Sequence, residues 1–283
     1  MQICTTVAEV RALVDAWHKE GKTVGLVPTM GFLHEGHESL IQKAVAENDY
    51  VVVSDFVNPT QFGPQEDLEA YPRDFAQDKA RCEKNGAAAI FHPTPEEMYH
   101  DPATYVNIER LSSTLCGQSR PIHFRGVCTV VSKLFNIVRP ERAYFGEKDA
   151  QQLAIIRKMV TDLNFPVTIV GCPIVREADG LAKSSRNTYL SAAERRAALC
   201  LSQAVKKGQQ TIAPKMTAAD VLQPMREILD NEPLARVDYL EMVDAQTMQP
   251  ADRVDRAVLV AMAVYIGKTR LIDNFSFDPA GAR

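Results

Sequence analysis

Apolar and polar positions follow two rhythms along the first part of this chain. Residues 22–27 (Val24, Leu26 and Val27), 50–56, 87–92, 142–145 and 167–172 are short, nearly continuous apolar runs, as in parallel strands buried on both faces. Between them lie stretches of helical period. Residues 38–47 place Leu40, Ile41, Ala44 and Val45 on one face; 74–85 end at Gly86; 127–138 follow; a later stretch carries Leu153, Ile156, Met159, Val160 and Leu163. A first helix is expected ahead of these, opened by the capping box Thr6–Glu9, striped by Val7, Val10, Leu13, Val14 and Trp17, and stopped by Gly21. Residues 104–108 read as one more short strand. Alternation of strand and helix up to residue 172 predicts a doubly wound, Rossmann-like parallel sheet of the α/β class.

After Pro173 the rhythm changes. A polar loop at 176–187, helices opened by Ser191–Glu194 and Thr217–Asp220, and strand-like runs at 237–243, 258–266 and 270–275 predict a smaller α+β domain. The expected division is 1–175 and 176–283. A length of 283 residues with 46% apolar content suits this division and fills a core. The net charge of −4 argues against nucleic acid as a partner. The six cysteines are scattered without a C-x-x-C pair, which resembles neither a zinc site nor a disulfide framework. No signal peptide is seen at the N-terminus, and the longest apolar stretch, 257–266, is too short to cross a bilayer. The expectation is a cytoplasmic protein with no membrane or nucleic-acid partner.

The candidate chemistry collects in the loops. Pro28 ends a strand, Gly31 and Gly36 free the backbone, and a helix follows: a strand–turn–helix device for binding anions. His34 and His37, three apart, can share a face as imidazole donors to phosphate. They could also share a metal, but no third ligand is near in sequence, and G-x-G-x-x-G is absent. The long loop 57–73 offers Asn58 and Gln61, neutral groups that can donate and accept and would suit the hydroxyl and carboxylate of a small acid; its aromatics and prolines argue for order. Asp78 could reach a magnesium ion, though a solvated helix carboxylate is commoner. Residues 119–126 bring two arginines and a histidine to a second helix entry. Lys148, Asp149 and Gln152 follow the fourth apolar run. His34, His37, Asn58, Gln61, Lys148, Asp149 and Gln152 all fall where strands end, which is where such sheets bind ligands. The loop 176–187 holds Lys183, Ser184, Ser185 and Arg186 but is no Walker motif, since Ala182 stands where the glycine before lysine would be. No nucleophile motif is present, which suits nucleotidyl transfer, where positioning and charge stabilisation dominate.

The run Pro28-Thr29-Met30-Gly31-Phe32-Leu33-His34-Glu35-Gly36-His37 resembles the H-x-G-H element of adenylate-forming enzymes related to class I aminoacyl-tRNA synthetases. With residues 56–62, Tyr71-Pro72-Arg73, His123-Phe124-Arg125-Gly126-Val127, Gly146-Glu147-Lys148-Asp149-Ala150-Gln151-Gln152 and Ser184-Ser185-Arg186-Asn187, the chain is similar to the pantothenate synthetase (pantoate–β-alanine ligase) family from about residue 23 to 187, and again at Leu271-Ile272-Asp273-Asn274. The resemblance implies a Rossmann-like domain with a smaller C-terminal lid, a homodimer, and ATP- and Mg2+-dependent joining of pantoate to β-alanine through pantoyl adenylate. It implies that Met30, Gly31, Phe32, Leu33, His34, Glu35, Gly36 and His37, then Gly146, Glu147, Lys148 and Asp149, and Val175, Lys183, Ser184, Ser185 and Arg186 hold ATP. His37, His34, Lys148 and Arg186 would be catalytic, Gln61 and Gln152 would hold pantoate, with Asn58 beside them, and Gln61 would also meet β-alanine. Two positions depart from the family pattern: Lys183 replaces an apolar residue and Ile122 a glycine. The alternatives are another nucleotidyltransferase of this fold, or a nucleotide-binding protein without turnover.

Overall fold

The computed structural model describes residues 1–64 and 66–281. In chain order it contains β1 (Gln2–Cys4), α1 (Val7–Lys19), β2 (Val24–Thr29), α2 (Glu35–Glu47), β3 (Tyr50–Asp55), α3 (Phe75–Lys84), β4 (Ala89–Phe91), α4 (Pro95–Met98), α5 (Leu115–Ser119), α6 (His123–Val138), β5 (Arg142–Gly146), α7 (Ala150–Asp162), β6 (Thr168–Cys172), α8 (Ala192–Ala197), α9 (Leu199–Thr211), α10 (Ala218–Asp230), β7 (Ala235–Asp244), β8 (Val258–Ile266) and β9 (Thr269–Phe277).

Six strands form a parallel sheet in the order β1-β4-β3-β2-β5-β6. From β2 the chain steps outward through β3 to β4, then returns to the other side of β2 with β5 and β6. The order therefore reverses between β2 and β5, and the crevice beyond their carboxyl ends is the switch point at which doubly wound sheets take ligands. The central strands are apolar throughout because both faces are covered: Val24, Leu26, Val27, Val52 and Val53 have no exposed surface. The capping box predicted at Thr6 and Glu9 is formed, and α1 buries Val10, Val14 and Trp17.

A second, three-stranded antiparallel sheet runs β7-β8-β9. Its core joins Val260, Met262, Val264 and Phe275 to Leu201, Val205, Val221 and Met225 of α9 and α10. The chain forms two compact units: Met1–Ile108, Ile122–Glu147 and Ile155–Pro173 in the first, and Glu109–Pro121, Lys148–Ala154 and Ile174–Arg283 in the second.

One expectation is corrected. Residues 104–108 form no strand: the Val106 amide donates to Thr129 Oγ1 at 3.0 Å instead of entering a ladder. β1, too short to show a period, adds itself to the edge of β4.

Candidate active site

In the first unit, β2 leads into a turn whose residues 31 and 32 both have left-handed backbones (φ 75° and 49°). Gly31 tolerates this freely; Phe32 does not, and needs holding in place. Asp78 supplies the hold. Its Oδ2 accepts from the Phe32 amide at 2.7 Å and its Oδ1 from the Leu33 amide at 2.6 Å. Gly31 is also the only residue that fits, because a Cβ there would lie 2.3 Å from Asp55 Oδ1 and 3.1 Å from Asp78 Oδ2.

The helix expected from residue 38 begins at Glu35, and the reason is a cap built from histidine. His34 is the N-cap, and its Nδ1 accepts from the Gly36 amide at 3.1 Å; the His34 amide donates to His37 Nδ1 at 3.2 Å. The Gly36 and His37 amides, which an open helix terminus would offer to an anion, are thereby engaged within the cap, the latter with His34 O at 2.8 Å. With both Nδ1 atoms accepting, the neutral rings carry their protons on Nε2. The rings lie 4.1 Å apart, tilted by 34°. Two N–H donors on one helix terminus, at the carboxyl end of β2, are suited to phosphate oxygens.

Beneath the turn, burial pushes the Asp78 carboxyl up to about 6, and the charge of Asp55 adds to this. Asp55 in turn raises His92, whose Nδ1 lies 3.3 Å from Asp55 Oδ2 and 3.0 Å from Asp55 O. Both Asp78 oxygens are engaged with amides, Arg81 stands one helical turn on, and among the described residues no three His, Cys, Asp or Glu side chains gather to hold a metal. The arrangement does not fit a protein-built magnesium site at Asp78.

Asn58 and Gln61 sit in a 3-10 turn after β3, and both are buried. Asn58 Nδ2 donates to Gln61 Oε1 at 3.0 Å and to Gly126 O at 3.2 Å; its Oδ1 accepts from Thr60 Oγ1 at 2.9 Å and Tyr99 Oη at 2.7 Å. Asn58 is thus fully engaged in orienting Gln61. The second helix entry also starts earlier than its pattern predicts: α6 opens at His123, so Gly126 lies inside it. A Cβ at Gly126 would come within 2.4–2.6 Å of Thr60 O, Gln61 Cα and Gln61 N, so this glycine lets the turn lie against the helix. His123 Nδ1 is 3.0 Å from Gln61 O, and the Arg125 guanidinium stacks 3.9 Å over the Tyr105 ring. These two groups, read as anion binders, serve internal contacts here.

In the second unit, Lys148 Nζ lies 3.2 Å from Asp149 Oδ2, and Asn274 Nδ2 holds the Lys148 carbonyl at 2.9 Å. Gln152 is half-buried; its neighbour Gln151 is buried and donates to Leu111 O and Thr114 O, both at 2.8 Å. The loop 176–187 is closed at its start by an antiparallel bridge between Arg176 and Ala182. Arg176 forms a two-pronged ion pair with buried Asp273 at 2.7 and 2.9 Å, and the Lys183 amide donates to Val175 O at 2.9 Å. Ser184 Oγ accepts from the Arg186 amide at 3.3 Å, opening the turn Ser185–Tyr189. Glu177 accepts from Arg195 at 2.7 Å and Asn187 at 2.9 Å, and lies 3.9 Å from Lys183 Nζ. Burial raises Glu177, but those partners outweigh it and hold its carboxyl low.

Sequence reasoning missed the supporting groups Asp55, Tyr99, Gly126, Gln151 and Asn274. Gly126, Gln151 and Asn274 carried a signal, as parts of quoted motifs without an assigned task.

A six-stranded parallel sheet that reverses at β2, with a capped His-x-Gly-His turn at the switch point, defines an α/β nucleotide-binding protein of the H-x-G-H type. The comparisons narrow this. The profile of the pantoate–β-alanine ligase family matches residues 2–276, and the chain belongs to that family. It is 60% identical over 281 residues to the pantothenate synthetase of Ruminiclostridium cellulolyticum, covering 99% of this chain and 100% of that one. It is 57% identical over 280 residues to that of Enterococcus faecalis (98% and 99%). The crystal structure of pantothenate synthetase from Thermus thermophilus superimposes with a TM-score of 0.90 at 45% identity over 97% of this chain and 99% of that one. A Francisella tularensis pantoate–β-alanine ligase, complexed with β,γ-ATP and β-alanine, does so with a TM-score of 0.81 at 32% identity over 97% of each.

Proposed function

We propose that this chain joins pantoate to β-alanine with cleavage of ATP to AMP and pyrophosphate, through pantoyl adenylate. The observation that carries the chemistry is the histidine cap: it orients two neutral imidazoles with their N–H donors on Nε2. In the first step a pantoate carboxylate oxygen attacks the α-phosphorus, the bond from that phosphorus to the bridging oxygen breaks, and pyrophosphate leaves. The carboxylate is already ionised, so no base is needed. His37 and His34 donate hydrogen bonds to the developing phosphoryl charge, and Lys148 and Arg186 neutralise it further. In the second step the β-alanine amine attacks the acyl carbon, the bond to the AMP oxygen breaks, and a proton passes to solvent.

In this reading the first unit supplies Met30, Gly31, Phe32, Leu33, His34, Glu35, Gly36, His37, Gly146 and Glu147 to ATP. The second supplies Lys148, Asp149, Val175, Lys183, Ser184, Ser185 and Arg186. Gln61 and Gln152 hold pantoate and Gln61 meets β-alanine; Asn58 acts through Gln61. Mg2+ arrives on the triphosphate as part of the substrate, consistent with its preference for phosphate oxygens and water. The C-terminal part acts as a lid, and the protein works as a cytoplasmic homodimer. No helix among the described residues is long and apolar enough to cross a membrane.

The test is pyrophosphate release from MgATP with pantoate alone, β-alanine alone, and both. Sustained release that needs both acids, with AMP and an amide as products, is expected. No release in any mixture, with ATP binding intact, would overturn the reading and favour a binding protein. Turnover with another acid would favour a related transferase.

A further inference from the structure

Resting on that reading, we propose that Asp78 is a positioning residue, an internal anion that fills the amide concavity of the turn 30–33, and not a magnesium ligand. Where residues of a turn bring successive backbone N–H groups together, they form an anion-binding hollow. In this turn those residues are Gly31 and Phe32, and the amides of Phe32 and Leu33 converge on Asp78 at 2.7 and 2.6 Å. The hollow that could take a ligand phosphate is already occupied by a side chain of α3. Phosphate recognition on this turn then passes to the histidine rings that follow it. Asp55 lies against the same turn at Gly31, and Arg81, three residues after Asp78, is paired with Glu38. Arg81 is thus taken up by Glu38, and both carboxylate oxygens of Asp78 are taken up by the two amides. Burial holds the Asp78 carboxyl far above its usual range, so the ionised form that grips both amides works against the stability of the fold. A purely structural side chain would stabilise the fold, whereas this one stabilises one turn.

Asp78→Asn keeps the shape, removes the charge and replaces one acceptor with a donor. In the full chain near pH 8 its Tm should equal or exceed the parent's. Hydrogen exchange at the Phe32 and Leu33 amides should quicken by about tenfold or more, as expected for losing a charged hydrogen bond. Pantoate-dependent pyrophosphate exchange should lose about tenfold or more in kcat/KM for ATP, with the Mg2+ concentration for half-maximal rate unchanged. A lowered Tm, unchanged amide exchange, or a raised Mg2+ requirement would each overturn the proposal. The melting and exchange measurements do not depend on ligase activity. A parent without turnover would sink the proposed function while these two readouts still decide the role of Asp78.

Discussion

The turn at 30–37 and the loop at 176–187 are assigned the same task, meeting phosphate charge, yet they are built in opposite ways. The first is held by buried or backbone partners: Asp78 on two amides, His34 and His37 capping each other's helix terminus, and Gly31 pressed against Asp55. The second is anchored on Asp273, whose side chain is 1% exposed and pairs with Arg176, and is otherwise tied by ion pairs that water reaches, with Arg195, Glu177 and Asp179 side chains 25%, 24% and 43% exposed. Pairs of that kind contribute little and are screened by salt. The contrast teaches that polar groups can be held in place either by buried and backbone partners or by ion pairs open to water and salt.

The largest expected effect strikes the rigid side. His37→Ala should lower pyrophosphate formation by about 10²-fold or more, by analogy with lost oxyanion donors. Its fold should weaken only by about 1 kcal/mol, the usual cost of a lost cap. Near-parental turnover in the purified variant would refute the assignment, and Lys148→Ala is expected to fall in the same range.

Acidity should separate the two regions by sign. Asp78 is raised from the ordinary 3.8 to about 6, so the folded chain holds its proton where the unfolded chain has lost it. Its contribution to stability therefore rises as pH falls from about 7 to about 4, by up to roughly 3 kcal/mol. Any thermal advantage of Asp78→Asn near neutrality should vanish over that window. Glu177 is lowered, so its contribution is present above the ordinary 4.5 and is lost as pH falls through its folded value. Melting curves of Asp78→Asn, Glu177→Gln and the parent across this range would show the two slopes; parallel slopes would erase the contrast.

Gly126→Ala is the next largest. The added methyl meets backbone at 2.4–2.6 Å, so the turn of Asn58 and Gln61 must move. A cost of about 1–3 kcal/mol is expected from overpacking, with the KM for pantoate raised about tenfold and that for ATP little changed. An equal rise in both would mean a general loss of structure. Smallest is Glu177→Gln, which should raise the KM for ATP about two- to fivefold at low salt. The difference from the parent should shrink as salt increases, while the effect of His37→Ala stays constant.

Much of this was legible in the chain. Val24, Leu26 and Val27, or the run 50–56, are too apolar to be anything but interior strand, and Thr6 with Glu9 marks a helix start unaided. The H-x-G-H run pointed to phosphate chemistry because a strand, glycines and a helix start coincide there. What went unread depended on partners far along the chain. Residues 35–37 look like poor helix because glycine and histidine favour it weakly, but histidine capping overrides that preference. Residues 104–108 look like strand, yet the Val106 amide finds Thr129 and no ladder forms. Asp78 reads as an ordinary surface carboxylate, since Phe32 and Leu33 lie 46 and 45 residues away.

The sequence by itself determined most of the elements, the α/β class and the family resemblance, because local periodicity, capping and motif spacing are properties of neighbours. Only the tertiary structure decided the strand order that reverses at β2, the buried anion under the histidine turn, and the glycine that seats Gln61 against α6. Each of these is a contact between distant segments. Its energy comes from desolvation and close packing, which no single stretch of chain contains.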